Sequence, residues 1–527
     1  MCTVIAVGRL ASADGSTLLS HSDTGRDSRI RKVPAADHAP GAKAPVYFGI
    51  QDSFSADLTH YGEVIGEIEQ VAHTYAYFHS AYSHINEHQL AIVESTTSQR
   101  PELRCLRGEG EQIMTIEQAM VFALQRCRHP REAIALIGEL MERYGFLCSC
   151  GEGSELLCIG DTEEIWVMEV LGVGKGWTRA SGEPGAIWAA RRMPDDHVMV
   201  AANWSVLRDL KLDDREDTLA CAHVERFAAD RGWFDPQAGR PFDWQEAYIP
   251  LPREWATARL WLFYSQVAPS LRAWPERQLG ENRYRTLDAY SQVVEPLSIY
   301  PLSVRPEKPL SLQDLMAFHR STFEQTIYDI SEQPQWYVMN EQGGLEKSPL
   351  ATPFPTPELR RLLKLTPRRT VARHFGFYAV ICQLRSGLPE DMAGVYWVAL
   401  HNPHVSTWLP CPIGTLSMPD SFCEYDPAQY SDTSARWCID FVDNLMQLAY
   451  QKALPLLKAI RDPYEAELHA RWQALDAQLQ AMPAPKDQHQ RQQMITEFVL
   501  REGAAIPGSY IGIRNRLIVA LTHTRNT

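Results

Sequence analysis

Met1-Cys2-Thr3-Val4-Ile5-Ala6-Val7-Gly8 opens the chain, and its reading decides the rest. Cysteine is small enough for a preceding initiator methionine to be trimmed. Cys2 would then carry a thiol and a free α-amine on one carbon, a nucleophile with its own base. A free α-amine has a pKa of about 7.7–8.0 and a free thiol about 8.5, so both exchange protons near neutral pH. Thr3 to Val7 is short, apolar and β-branched, and it ends at Gly8, which predicts a buried strand. Such a strand would hold Cys2 rigidly at a sheet end. The expectation is that maturation takes only the loss of Met1, without self-cleavage.

Working outward, Asp14-Gly15 between two apolar runs is a hairpin signal. Thr17 to Ser22 is the expected return strand, and it would carry Asp23 back to the Cys2 end. A carboxylate there would hold the charge of the α-ammonium; locally, Asp23 could equally cap a turn with Gly25.

The chain has 527 residues, 45% hydrophobic and 22% charged, with a net charge of −14. The composition is that of a globular protein, and the acidic balance argues against nucleic acid and anionic membrane as partners. No apolar run approaches the roughly 18 residues that span a bilayer. Arg9 and Asp14 interrupt any signal-peptide core, so the cytoplasm is expected. Eleven cysteines, an odd number in a long chain, suit reduced thiols.

Further along, strands are predicted at Tyr47–Ile50, Leu90–Val93, Ile165–Val170, His197–Ala202, Phe377–Cys382 and Val395–Leu400. Apolar residues at helical spacing predict two helices over 116–144, separated at Pro130. Leu312 to Tyr328 also reads as helical. The last part of the chain is helical, with Trp437, Phe441, Leu445 and Leu448 on one face. Asn203, at a strand end, offers fixed N–H groups suited to an oxyanion. His84-Ile85-Asn86-Glu87-His88 fits the His-x-x-Glu-His zinc pattern, which needs both histidines on one helix face. The flanking residues are β-formers, and 86–89 reads as a turn, so no metal and no cofactor are expected. Cys148, Cys150 and Cys158 read as core or strand cysteines.

These residues together resemble a family. The stretch Cys2–Gly8, with Ala13–Thr17, Ser20–Asp23, Arg29 and Val33–Gly41, is similar to the start of the dipeptidase A family, cysteine peptidases related to the secernins. Ile85–Ile92 with Glu94-Ser95-Thr96 resembles a second block. Trp166–Glu169, Trp188–Asp196 and Ala202-Asn203 resemble a third, and Gln383–Arg385, Leu388-Pro389 and Val395–Val398 are similar to later positions. The resemblance implies an α/β fold of the N-terminal-nucleophile hydrolase type, an αββα sandwich. A core over 1–430 would carry a helix-rich insertion at about 205–330, and 431–527 would form a helical C-terminal extension. It implies hydrolysis of dipeptides through a Cys2 acyl-enzyme. Asp23 would stand near the amine, with Asn86 and Asn203 in the oxyanion region, and a homo-oligomer is possible on the family's pattern. Related acylases place an arginine three residues before the Asp, where this chain has Ser20; its work would fall to His21 or Arg29, or would not be done at all. The alternatives are a non-catalytic secernin-like regulator, an acylase on small amides, and a zinc peptidase using His84, Glu87 and His88.

Overall fold

Strands that are apolar throughout need cover on both faces. Every residue is buried in Thr3–Val7, Ser154–Gly160, Ile165–Leu171, Gly376–Leu384 and Gly394–Leu400. The structure, a computed structural model, describes residues 2–24, 27–52, 62–151, 153–249, 254–270 and 300–523. Met1, Gly25, Pro250 and Pro252 lie outside the described residues.

Eleven strands build the two main sheets. In chain order they are β1 (Thr3–Val7), β2 (Thr17–Thr24), β3 (Ala91–Thr97), β4 (Ser154–Gly160), β5 (Ile165–Leu171), β6 (Ile187–Met193), β7 (Val198–Ala201), β8 (Thr218–Ala220), β9 (Gly376–Leu384), β10 (Gly394–Leu400) and β11 (Leu409–Pro412). One sheet has six strands in the order β7-β1-β2-β9-β10-β11, and the other has five in the order β8-β6-β5-β4-β3. Neighbours are antiparallel throughout. The sheets meet face to face where β1 and β2 lie on β3 and β4.

Helices cover the outer faces. On the five-stranded sheet lie α1 (Ile116–Arg126) and α2 (Pro130–Tyr144), broken at Pro130 as the sequence predicts. On the six-stranded sheet lie α3 (Glu254–Val267), α4 (Leu312–His319), α5 (Ala435–Met446), α6 (Tyr450–Gln480) and α7 (Gln488–His523). The result is the expected αββα sandwich. One apolar cluster runs from Val4 to Leu521, so the C-terminal helices share the core of the strands.

Two local devices aim β1 and β2. Gly15 sits at φ +77°, and Asp14 Oδ1 accepts from the Ser16 N–H at 3.0 Å, which closes the hairpin. At Gly8 the chain passes so close to the Asp195 backbone that a Cβ would stand 2.2 Å from its carbonyl oxygen. The described part of 205–330 carries short helices at Val224–Ala229 and Trp244–Tyr248, besides α3 and α4. Buried Glu169 of β5 pins this segment to the sheet. It accepts from Ser205 Oγ at 2.6 Å, Val206 N at 2.8 Å, Leu207 N at 3.1 Å and Trp244 Nε1 at 2.7 Å.

Three expectations need correction. The helix expected over 312–328 ends at His319, because Phe323 and Gln325 take φ of 69° and 61°, which no helix continues through. Ile50 belongs to a 3-10 turn after the strand Lys43–Phe48. The face expected on Trp437, Phe441, Leu445 and Leu448 is only partly covered: Phe441 is 40% and Leu448 59% exposed, Trp437 and Leu445 are half-buried, and Cys438, Ile439, Val442 and Met446 are the buried residues.

Candidate active site

Cys2 stands at the head of β1. The register pairs Thr3 with Ser22, so one step further Cys2 meets Asp23 across the hairpin. The strand period of two puts His21 and Asp23 on one face of β2 and Ser20 and Ser22 on the other. The Cys2 thiol donates to Asp23 Oδ1 at 3.2 Å, and its sulfur lies 3.4 Å from Glu94 Oε2 on β3 of the facing sheet. All three are buried. Burial pushes the Cys2 thiol well up, and the charges of Asp23 and Glu94 add to this. Burial also works against an ionised Asp23, but the positive charge of the chain's amino end, with a smaller pull from His21 at the low pH where that ring is protonated, outweighs it and holds the carboxyl below its usual range.

Asn203 follows β7, the strand on the other side of β1. Its φ of +60° is a left-handed conformation that asparagine tolerates better than most residues. Its backbone N–H donates to Ser95 Oγ at 2.9 Å, and Nδ2 donates to the Thr96 carbonyl at 2.8 Å. Nδ2 carries a second hydrogen that this bond does not use. Buried Arg259 of α3 ties the strand ends together. It donates to the Cys2 carbonyl at 2.7 Å, Thr3 Oγ1 at 2.9 Å, the Ala202 carbonyl at 2.9 Å and Asn203 Oδ1 at 3.0 Å. Arg369 also reaches Asn203 Oδ1, at 3.4 Å. Two guanidinium groups at Oδ1 and the Thr96 carbonyl at Nδ2 therefore fix the Asn203 amide, and one Nδ2 hydrogen lies outside these bonds.

Asn86 does not join this group. Its Nδ2 donates to the carbonyls of Leu124 and Cys127, both at 2.9 Å, and its Oδ1 accepts from His88 N at 3.0 Å and Leu90 N at 3.1 Å. Both amide hydrogens are spent, and the backbone N–H goes to the Leu90 carbonyl at 3.1 Å. Asn86 builds the turn that locks α1 to β3.

The zinc arrangement is also absent. His84, His88 and Glu87 lie on that turn rather than on a helix. His84 is buried between His21 Nδ1, 2.9 Å from its Nε2, and the Tyr396 hydroxyl, 2.8 Å from its Nδ1. His88 faces Glu390 at 3.4 Å, and Glu87 accepts from the Ala76 N–H at 2.8 Å. Among the described residues, Cys2, His21 and Asp23 have donor atoms within 4.8 Å of one another. Their atoms are engaged with each other, His84 and Glu94, and the set is read as the thiol's hydrogen-bonding surroundings.

Nor does either proposed substitute for the missing arginine act as one. Arg29 is held by Asp27, with Nε 2.9 Å from Oδ1 and an Nη 2.8 Å from Oδ2. His21 is pushed down to about 4 by burial, against the pull of Asp23, so it is neutral at pH 7. Ser20 points to the opposite face, where its hydroxyl meets His319 Nε2 of α4 at 2.9 Å. Positive charge reaches the site from Arg259 and Arg369 instead.

Sequence reasoning missed Arg259, Arg369 and the role of Glu94. Arg259 and Glu94 had a signal: each is a lone charge in an apolar run, Ala258-Arg259-Leu260 and Ile92-Val93-Glu94, where a charge demands a buried partner. Arg369 lies among other arginines and had none.

A family profile described as Peptidase family C69 matches residues 1–462. A probable dipeptidase B of Lactococcus lactis is 23% identical over 434 residues, 81% of this chain and 78% of that protein. A probable dipeptidase A of Streptococcus pyogenes is 21% identical over 516 residues, 95% of this chain and 94% of its own. A probable dipeptidase of Salmonella dublin is 24% identical over 425 residues, 78% of this chain and 80% of its own. Among solved structures, the C2A mutant of conjugated bile acid hydrolase from Clostridium perfringens aligns with 49% of this chain and 70% of its own, at 11% identity and a TM-score of 0.21, a likeness from which nothing is drawn. The profile match runs from the strand that carries Cys2 to the long helix on the outer face of the six-stranded sheet, and the chain belongs to peptidase family C69.

Proposed function

We propose that this chain is a cysteine dipeptidase that works through the α-amine of its own nucleophile. Loss of Met1 frees the amine on Cys2. The amine takes the thiol proton, and the thiolate attacks the peptide carbonyl as Asn203 Nδ2–H receives the developing oxyanion. The C–N bond then breaks, the leaving amine takes the proton from the ammonium, and a thioester remains on Cys2. Water, deprotonated by the same amine, hydrolyses it and restores the thiol. Asp23 steadies the ammonium stage, and Arg259 holds Asn203 against the Cys2 end of β1. The supporting observation is the meeting of Cys2, Asp23 and Asn203 at one sheet end, tied by Arg259. The dipeptide class is carried over from the relatives' names. The same reading puts the chain in the cytoplasm, with its eleven free cysteines reduced, and allows a homo-oligomer, which sedimentation would measure. No helix among the described residues is long and apolar enough to cross a membrane.

The test is a panel of free dipeptides, with a penicillin and an acyl-homoserine lactone as acylase probes, offered to protein verified to lack Met1. Dipeptide turnover that vanishes in Cys2→Ala, with a trace left in Cys2→Ser, is expected. Turnover of the acylase probes alone, or of nothing, would defeat the reading.

A further inference from the structure

Glu94 and Glu155 are left over by this mechanism. They lie on neighbouring strands, β3 and β4, where Glu155 pairs with Thr96 and Glu94 with Leu157, and both are fully buried. Among the described residues, neither makes an ion pair with a lysine or arginine; Glu94 has His21 Nε2 at 3.7 Å, on a ring held neutral, and feels a lesser pull from the positive charge of the chain's amino end. Thr96 Oγ1 donates to Glu94 Oε1 at 3.1 Å. Both Glu155 oxygens are buried without a hydrogen-bond donor from another side chain or the backbone. Burying a carboxylate without such partners is costly, and the group keeps its proton instead.

We propose that Glu94 and Glu155 form a proton-holding carboxyl pair, and that Glu94 keeps its proton in the working enzyme and presents its O–H to the sulfur of Cys2. This rests on Cys2 being the nucleophile, as above. The groups facing Glu94 are Cys2 from β1, His21 and Asp23 from β2, Glu155 from β4, Tyr82 from the segment before β3, Tyr378 from β9 and Cys150 from the loop before β4. Glu155 is faced by Glu94, Cys150 and Glu117 of α1. The positive charge of the chain's amino end acts on both Asp23 and Glu94, but in Asp23 it outweighs burial and in Glu94 it does not. Burial and the charge of Asp23 push Glu94 up to about 7, while the hydrogen bond with Glu155 moderates the rise, and burial together with Glu94 pushes Glu155 further up.

The chemical consequence concerns the thiolate. An ionised Glu94 would put a second anion 3.4 Å from the sulfur and oppose loss of the thiol proton. A protonated Glu94 at the same place donates to the thiolate and favours it. No bond to carbon is made or broken by Glu94; its proton stays on Oε2 while the thiol proton moves to the α-amine.

Two readouts test this on protein lacking Met1. The first is kcat/KM for a dipeptide across pH. Wild type should show an alkaline limb that Glu94→Gln, a permanently neutral donor, lacks. Glu94→Ala should lose roughly tenfold or more at pH 6.5, the value of a hydrogen bond to a charged group, and Glu94→Gln should restore most of that loss. Glu155→Met, which removes the donor to Glu94, should move the alkaline limb to higher pH, and it serves if Glu94→Gln does not fold. The second readout needs no turnover: alkylation of Cys2 by iodoacetamide, followed by the mass of the N-terminal peptide. Glu94→Ala, which loses the donor, should raise the apparent thiol pKa, while Glu94→Gln, which keeps a neutral donor, should stay near wild type. The proposal is overturned if Glu94→Gln is as inactive as Glu94→Ala, or if its thiol pKa falls well below wild type, as removal of an ionised carboxylate would make it. If no dipeptide is hydrolysed by wild type, the function reading fails, and the alkylation result still decides the role of Glu94.

Discussion

Replacing Asn203 separates its two jobs, because glycine and alanine differ only in how they bear its backbone. At φ +60° glycine is unstrained, whereas alanine carries about 1–2 kcal/mol of left-handed penalty. Both lose the Nδ2 bond to Thr96 and the Oδ1 acceptor for Arg259. A neutral hydrogen bond contributes about 1 kcal/mol and one to a charged group about 1.5–3 kcal/mol. Asn203→Gly should therefore cost about 2–4 kcal/mol of stability and Asn203→Ala somewhat more. The kinetic effect should be the same in both, since each removes the one amide hydrogen left for the oxyanion. That loss is about 100–1000-fold in kcat, or about 2.7–4 kcal/mol, with KM little changed. Initial rates of dipeptide hydrolysis at saturating substrate, beside urea midpoints, measure both quantities. A kcat for Asn203→Gly within threefold of wild type would refute the oxyanion role. A tenfold difference in kcat between the Gly and Ala variants would mean that backbone strain, not the amide, governs the rate.

Three further outcomes are expected. An N-terminal tag verified as uncleaved should abolish turnover while leaving the thermal midpoint nearly unchanged, since it removes the amine and little buried area; full activity with the tag in place would defeat the mechanism. Arg259→Met leaves the buried carbonyls of Cys2 and Ala202 short of a donor, at about 1–3 kcal/mol each, so its urea midpoint and its turnover should both fall; a variant of wild-type stability would show that Arg259 is not the tie between β1 and β7. His319 is pushed down to about 3 by burial, below the roughly 6.5 of an unfolded histidine. Its contribution is therefore full above pH 6.5 and is lost as pH falls from there, at about 1.4 kcal/mol per unit. His319→Gln should be less stable than wild type at pH 7 and draw level as pH drops towards 4; a pH-independent gap in urea midpoints would refute this.

What the sequence determined by itself is what short-range chemistry can write. The β-branched run after Cys2, the Asp14-Gly15 turn and the return strand make a hairpin whose register follows from its length. That register brings Asp23 to Cys2, and the backbones of Asp195, His197 and Leu310 hold the connecting loop in place. The apolar runs that became β5, β9 and β10 carried the second message, that both faces of these strands would be covered. Asn203 at a strand end was legible as a residue, though not in what holds it.

Tertiary structure decided the rest, because it depends on which distant elements face one another. Glu94 reaches the sulfur only because the second sheet packs on the first, and Arg259 reaches the Cys2 carbonyl from a helix more than two hundred residues away in sequence. Asn86 was misread for the same reason. Its partners Leu124 and Cys127 at the end of α1 consume its amide, and nothing beside it in sequence announces them. α5 shows the limit of periodicity: two stripes of that helix are apolar, and the elements packed against it, α7 above all, chose which to bury. Local sequence specifies a strand and its turn through bonds a few residues long, whereas the charge around a buried thiol is set by every chain segment that excludes water from it.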